Sequence, residues 1–252
     1  MVAAQKKIYF ASDFHLGLEA VMDPKAREKH VVKWLGSIAD SAAAIYLVGD
    51  IFDFWWEYKS VVPKGFTRFL GTVSELTDNG IDIHFFTGNH DMWIGDYLSK
   101  ECGMILHTSA LYTELLGKKF YIAHGEGLGI TDRSYKILLW IFRNKFLRKM
   151  YSFLHPRIGI AIAHRWTSHS RLTKNYAEKF KGEEKESLVR HARDILKSKK
   201  VDYFIFGHRH ISFEYALGTG GPKIFFLGNW FNAPGYVSWD GKEAILNNFS
   251  YY

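Results

Sequence analysis

Short apolar runs that stop abruptly at small or polar residues dominate the first half of the chain and return once near its end. Ile8-Tyr9-Phe10-Ala11, Ile45-Tyr46-Leu47-Val48, Ile83-His84-Phe85-Phe86, Phe120-Tyr121-Ile122-Ala123 and Tyr203-Phe204-Ile205-Phe206 are β-rich stretches of strand length. Between them lie segments of helical period. Lys25 to Asp40 carries Val31, Val32, Trp34, Leu35 and Ile38, and Phe66 to Thr77 carries Phe69, Leu70, Val73 and Leu76 before an Asp78-Asn79-Gly80 turn. Strands separated by helices of this length predict βαβ units and a largely parallel sheet. A polar connection follows the third run, then an apolar Leu106 to Leu116 region. After Val201 the period shortens, and Phe213 to Leu217, Ile224 to Leu227, Tyr236 to Trp239 and Ala244 to Phe249 predict a closing β meander.

The pattern changes between Gly125 and Gly182. From Arg133 to Leu154 aromatic and aliphatic residues such as Tyr135, Trp140, Phe142, Phe146 and Phe153 are threaded with Arg143, Lys145, Arg148 and Lys149, which predicts one helix capped by Thr131 or Asp132. A second helical stretch runs from Ile158 to His169, and Glu183 to Lys200 is an amphipathic helix of ordinary kind. The expected organisation is a single domain over residues 1–252 with a basic, aromatic-rich helical cap inserted at 128–181.

Charge sharpens this picture. Of 33 Lys and Arg, 12 fall between Arg133 and Lys181 against one of the 26 acids, so that segment carries +11 while the remainder, with 21 basic and 25 acidic residues, carries −4. A one-sided charge on helices that are apolar around most of their circumference suits a cap touching an acyl chain or an anionic lipid surface. An ordinary packed subdomain with a solvated basic face is the alternative. The single cysteine, Cys102, excludes an intramolecular disulfide and suits a reducing compartment. Met1 to Lys7 is too short and polar for a signal peptide, and no run of 18 apolar residues is present, so a cytoplasmic protein is expected.

The chemistry lies where the apolar runs end. They deliver Asp13 and His15, Asp50 after Gly49, Asn89 and His90 after Gly88, His124, and His208 and His210 after Gly207. In open α/β sheets ligands bind beyond the carboxyl ends of the strands, so five such ends describe one site. Asp13, His15, Asp50, Asn89, His124, His208 and His210 form an oxygen and imidazole set without thiolate, suited to Mn2+, Fe or Zn2+ and exceeding the needs of one ion. A carboxylate such as Asp50 can bridge two ions roughly 3.5–4 Å apart, and water held between them is substantially ionised near neutral pH. His90 is placed to protonate a leaving oxygen. His30, His84, His107, His155, His164, His169 and His191 are expected to be structural or surface residues.

Asp13-x-His15, Gly49-Asp50-x-x-Asp53, Gly88-Asn89-His90-Asp91, His124-Gly125 and Gly207-His208-x-His210 together resemble the signature of the calcineurin-like metallophosphoesterases. The resemblance implies a four-layer α/β/β/α sandwich with two divalent ions. Asp13, His15, Asp50 and His210 would hold one and Asp50, Asn89, His124 and His208 the other. His90 would be the catalytic histidine, and Asp53 would orient a ligand. Within that superfamily the chain is most similar to the UDP-2,3-diacylglucosamine hydrolases of lipid A synthesis, through its length, its His124-Gly125 followed by Thr131-Asp132, and the cap inserted there.

That likeness implies Mn2+-dependent cleavage of a nucleotide-linked glycolipid to UMP and 2,3-diacylglucosamine 1-phosphate. It also implies a cytoplasmic enzyme peripheral to the inner membrane, with no nucleic acid and no obligate protein partner. Members of the best-known branch carry arginine where this chain has His90. The other functions weighed are a phosphodiesterase or phosphatase for another lipid or a soluble ester, and a nuclease or nucleic-acid-binding protein using the basic segment. Asp132 is the candidate substrate contact, with helix capping as its second role.

Overall fold

The computed structural model describes residues 6–19, 22–129, 137, 139–142, 144–159, 161 and 179–250. The first three apolar runs form β1 (Lys7–Ala11), β2 (Ala42–Val48) and β3 (Asp82–Phe86), which pair in parallel with β4 (Ile105–His107) beyond them. The other two form β6 (Lys118–Ala123) and β7 (Tyr203–Phe206), also parallel, with β5 (Leu111–Leu115) antiparallel at one edge. The predicted meander is β8 (Ser212–Ala216), β9 (Lys223–Asn229), β10 (Ala233–Trp239) and β11 (Ala244–Asn248), each antiparallel to the next. It joins two sheets, because β9 runs parallel to β7 while β10 runs antiparallel to β1.

The side chains alternate accordingly. Ile8, Phe10, Tyr46, Val48 and Phe86 from one sheet meet Phe120, Ile122, Ile205, Phe225 and Leu227 from the other in a buried layer. The outer face of the first sheet is covered by α1 (Pro24–Ile38), α2 (Thr67–Asp78) and α3 (Tyr97–Cys102), and that of the second by α5 (Ser187–Leu196). The architecture is therefore the expected α/β/β/α sandwich. Helix α1 presents Val31, Trp34, Leu35 and Ile38, one stripe at helical spacing, and their burial stabilises the layer by about 1.5–3 kcal/mol each. Asp23 Oδ2 caps α1 by accepting from Ala26 N at 2.8 Å, with Pro24 at the first helical position. Glu28 Oε1 reaches across to accept from Arg68 N (2.9 Å) and Phe69 N (3.2 Å), serving α2, whose own preceding residue Phe66 makes no side-chain cap.

Three expectations change. The connection after the third run holds α3, a helix of six residues too short to impose a period on the sequence. The Leu106 to Leu116 region splits into β4 and β5, which belong to different sheets. The single helix expected over Arg133 to Leu154 is interrupted at Asn144, which is extended (ψ 117°) and whose side-chain oxygen accepts from Phe146 N and Leu147 N to start α4 (Lys145–Ser152). Thr131, Asp132 and most of the second helical stretch lie outside the described residues. Cys102, the last residue of α3, is a free thiol buried in the core cluster under the helix-covered face of the first sheet.

At the edge of the layer between the sheets, His84 Nδ1 lies 2.9 Å from His107 Nε2; His84 stacks on Tyr46 and His107 on Phe86. Burial, with His107 beside it, pushes His84 down to about 4 from the model-peptide value of 6.5. The unfolded chain binds this proton at a higher pH than the folded one, so stability present above 6.5 is lost as pH falls from 6.5 toward about 4. Denaturant unfolding in chelator at about pH 7 and about pH 5 should show a smaller loss for His84→Phe/His107→Leu than for the native chain.

Candidate metal centre

The five strand ends place their polar residues around one point at the carboxyl edge of both sheets. Each turn there is tight. Among the described residues, five of the seven non-glycine residues with positive φ are Asp13, His15, Asp50, His208 and His210, with φ between 44° and 63°. Asp and His tolerate this region better than most side chains, but the concentration of left-handed residues at one place is the mark of a functional site.

Glycines permit the approach. A Cβ on Gly49 would lie 2.5 Å from His124 Nδ1, one on Gly88 would meet Asp50 Oδ1, and one on Gly207 would meet Ser12 Oγ and lie 2.7 Å from Asp13 Oδ2.

Each buried carboxylate is divided between anchoring and display. Asp13 Oδ2 accepts from Ser12 Oγ (2.6 Å) and from His208 N (3.0 Å), while Oδ1 faces His210 Nε2 at 3.1 Å. Asp50 Oδ1 accepts from His90 N at 2.9 Å, while Oδ2 lies 3.3 Å from His124 Nε2 and 3.9 Å from His15 Nε2. Asp91, fully buried, accepts from Gly88 N (2.7 Å) and Ile51 N (2.8 Å) and so fastens the third ligand loop to the second.

The histidines are oriented likewise. His124 Nδ1 donates to Val48 O (2.8 Å) and His90 Nδ1 to Asp53 O (2.9 Å), since a carbonyl can only accept. His15 Nδ1 faces Asp53 Oδ1 at 3.4 Å.

Three groups of ligand atoms result: Asp13, His15 and His210; Asp50, His124 and His208; and His15, Asp53 and His90. Asp50 lies between the first two. Asn89 Oδ1 is buried with no hydrogen-bond partner among the described residues, and His15 Nε2 points at His210 Nε2 from 3.3 Å. A buried amide oxygen without a donor is unfavourable, and a cation beside it would satisfy it. The donor set therefore fits divalent metal.

The electrostatics agree. Burial raises Asp13, but hydrogen bonds from His15 and His210 outweigh it and hold the carboxyl below the usual range. In Asp50 burial is likewise outweighed, chiefly by His124 and His90. Burial and the neighbouring His124 push His208 down to about 3, leaving a neutral imidazole. Asp91 is raised to about 7 by burial and by Asp50. Burial opposes charge on His124, yet Asp50 holds its proton well above the ordinary value, and that proton is the one a cation would displace.

Residues 6–212 match the model of the calcineurin-like phosphoesterases. The chain belongs to this family. It is 41% identical over 257 residues to the UDP-2,3-diacylglucosamine hydrolase of Porphyromonas gingivalis, covering 97% of this chain and 98% of that protein. To the protein of the same name from Neisseria meningitidis serogroup A it is 28% identical over 254 residues, covering 96% and 97%. Among solved structures, YfcE, a phosphoesterase from E. coli, aligns over 92% of this chain and 87% of its own at 13% identity and a TM-score of 0.42.

The structure brings Asp13, His15, Asp50, Asn89, His90, His124, His208 and His210 to one place, and Asp132 lies outside the described residues. Four further contributors stand outside the predicted set: Asn229, Trp230, Phe231 and Arg27. Asn229, at the end of β9, donates to His210 O (3.0 Å) and accepts from Phe231 N and Asn232 N, and Trp230 N donates to Asp13 O. Phe231 lies against the rings of His15 and His210, at 5.8 and 5.5 Å. A sixth apolar run, Ile224 to Leu227, ending at Gly228-Asn229 was the available clue. Arg27, fully buried on α1, donates to His15 O (2.8 Å) and Leu18 O (3.1 Å) and fixes the loop after the first ligand pair.

Substituting Gly207→Ala should displace Ser12 and Asp13 and weaken Mn2+ binding by about 10–100-fold, read by calorimetric titration, with the circular dichroism of the native fold retained.

Proposed function

We propose that this chain hydrolyses the pyrophosphate of UDP-2,3-diacylglucosamine to UMP and 2,3-diacylglucosamine 1-phosphate at a dinuclear metal centre. The observation that carries the chemistry is Asp50, one oxygen fixed by His90 N and the other shared between two ligand groups. The full-length likeness to the Porphyromonas hydrolase supports the substrate.

Asp13, His15, Asp50 and His210 would hold one ion and Asp50, Asn89, His124 and His208 the other, with Mn2+ favoured by the imidazole count over Mg2+. Two such ions neutralise charge on phosphorus and supply an ionised water near neutral pH.

The chain's own groups do the rest. His90 keeps its Nδ1 hydrogen on Asp53 O, so proton exchange with the leaving phosphate oxygen falls to Nε2. Asp53 orients His15, and Asp91 holds the Asn89-His90 turn against the Asp50 loop.

The 128–181 segment acts as a cap. It rests on the loops that follow Asp53 and Asp91: Trp93 Nε1 donates to Phe142 O at 3.1 Å, and Tyr151 packs on Trp56 with ring centroids 4.3 Å apart. Eight of the 14 exposed large hydrophobic residues among those described lie in it, including Trp140, Phe146, Met150 and Phe153. That concentration, with +11 on residues 133–181, supports contact with acyl chains and docking on an anionic inner-membrane surface from the cytoplasmic side. No described helix is long and apolar enough to cross a membrane. Asp132, just past His124-Gly125, is the proposed substrate contact within the cap.

In mixed micelles of UDP-2,3-diacylglucosamine, native protein should release UMP with Mn2+ and none with chelator. Asp50→Ala should be inactive, and His90→Ala should lose about 10²–10⁴-fold in kcat. Turnover of a generic diester without UMP would keep the chemistry and refute the substrate.

Sedimentation with vesicles containing anionic phospholipid should recover the native protein and lose it as salt rises. Phe146→Glu/Phe153→Glu should stay in the supernatant.

A further inference from the structure

Between the two histidines of Gly207-His208-Arg209-His210 stands a side chain that the proposed chemistry does not use. Arg209 turns to the opposite side and places Nε 2.8 Å from Glu186 Oε1 and Nη2 3.2 Å from Oε2, a two-pronged contact with a carboxylate that is 1% exposed. Glu186 is the residue before α5, a position usually filled by Ser, Thr, Asp or Asn so that the side chain can cap the helix. Here it makes no such cap, because its carboxylate is committed to Arg209.

The same point receives both ends of the inserted segment. On the side where the insertion leaves the core, Gly129 lies so close to Ser187 that a Cβ would meet the Ser187 carbonyl, and Arg190 Nη2 reaches Gly129 O at 3.4 Å. On the side where it returns, Phe180 packs against Phe213 and Tyr215, the chain turns at Gly182, and Glu186 N donates to Gly182 O at 2.9 Å. Leu188, two residues on, would be 3.1 Å from a Cβ on Gly125, directly after His124, and His208 Cβ would be 3.4 Å away. The start of α5 is thus the junction of the insertion's two ends with the last ligand loop.

We propose that Glu186 and Arg209 are positioning residues that clamp the His208–His210 loop to the base of the inserted segment, so that the two imidazoles are held in register for divalent metal. This rests on the ligand assignment given under Proposed function. Neither residue touches substrate. His208 and His210 both occupy left-handed backbone, which persists only where surrounding contacts over-determine it, and the guanidinium fork between them is such a contact.

The test is titration of metal-free protein with Mn2+, on native chain, Glu186→Gln, Arg209→Lys and the double variant Glu186→Gln/Arg209→Gln, with Asp50→Ala as the control for the ligand assignment. Lysine keeps the charge but not the fork, so Arg209→Lys remains informative even if Glu186→Gln fails to fold. The expected result is Mn2+ affinity weaker by about 10–100-fold in each single variant, with the double variant no worse than the weaker single, and kcat lowered while KM stays. A lower unfolding midpoint with Mn2+ affinity within roughly twofold of native would overturn the clamp and leave the ligand assignment standing, as would losses that simply add in the double variant. Native protein that takes up no Mn2+, or Asp50→Ala that takes up as much, would overturn the ligand assignment itself.

Discussion

The Asp13 carboxylate is the contact on which the rest of the site depends. It sits at the end of a strand in one sheet and accepts, through Oδ2, from the backbone N–H of His208 in a loop of the other. One further bond repeats the stitch in backbone alone, from Trp230 N to Asp13 O. Without them, two sheets meeting through an apolar layer could slide by fractions of an ångström, because burial of Phe10 against Phe120 is indifferent to small shear. Directional hydrogen bonds to a buried anion are not. They convert a non-specific interface into a defined register, and the register brings ligands 195 residues apart to within 3.3 Å.

That register concentrates charge. Asp13, Asp50 and Asp53 are buried within one site, beside histidines of which one is driven neutral and another held protonated. Isolated buried carboxylates are strongly unfavourable, so each is given backbone donors on one side and imidazole on the other. The geometry is expensive in the backbone too: five left-handed turns cost on the order of 1–2 kcal/mol each, a sizeable part of a domain's net stability. The glycines at 49, 88 and 207 remove the Cβ atoms that would hold the loops apart, and Gly49 in addition adopts a φ of 82° that a side chain would strain. Cradle and strain are thus two consequences of packing polar loops at the density of a core.

The fold and the ligands were legible because both depend on local contrast. An apolar run that ends at Asp, Asn or His marks a strand and its functional end at once, and five such runs gave the strand ends that carry the site. What escaped depends on contacts that leave no local pattern. Asn229 is one polar residue after a glycine, meaningful only because β9 lies beside β7. Asn144 interrupts a stretch whose composition favours helix throughout, and its capping geometry outweighs that propensity. Helix α3 is too short to show a period, and the split of residues 105–115 between sheets follows from which edge each half can reach. Trp56 and Trp93, outside every motif, form the seat of Tyr151 and Phe142.

These seats explain how one scaffold can keep its chemistry while changing what it acts on. The loops after Asp53 and Asp91 are anchored at their near ends by the ligand network, through Asp53 O to His90 and Asp91 to Ile51 and Phe52, and at their far ends they present indole faces to the cap. Glu57 bonds Gly95 N, Asp96 N and Tyr97 N and locks the two loops to each other. A change in the cap therefore meets a rigid platform before it can reach a ligand, and aromatic packing tolerates substitution better than the hydrogen-bonded cradle does. Directional bonds thus fix the residues around the candidate metal centre, while apolar contact joins the loops beyond them to Phe142 and Tyr151.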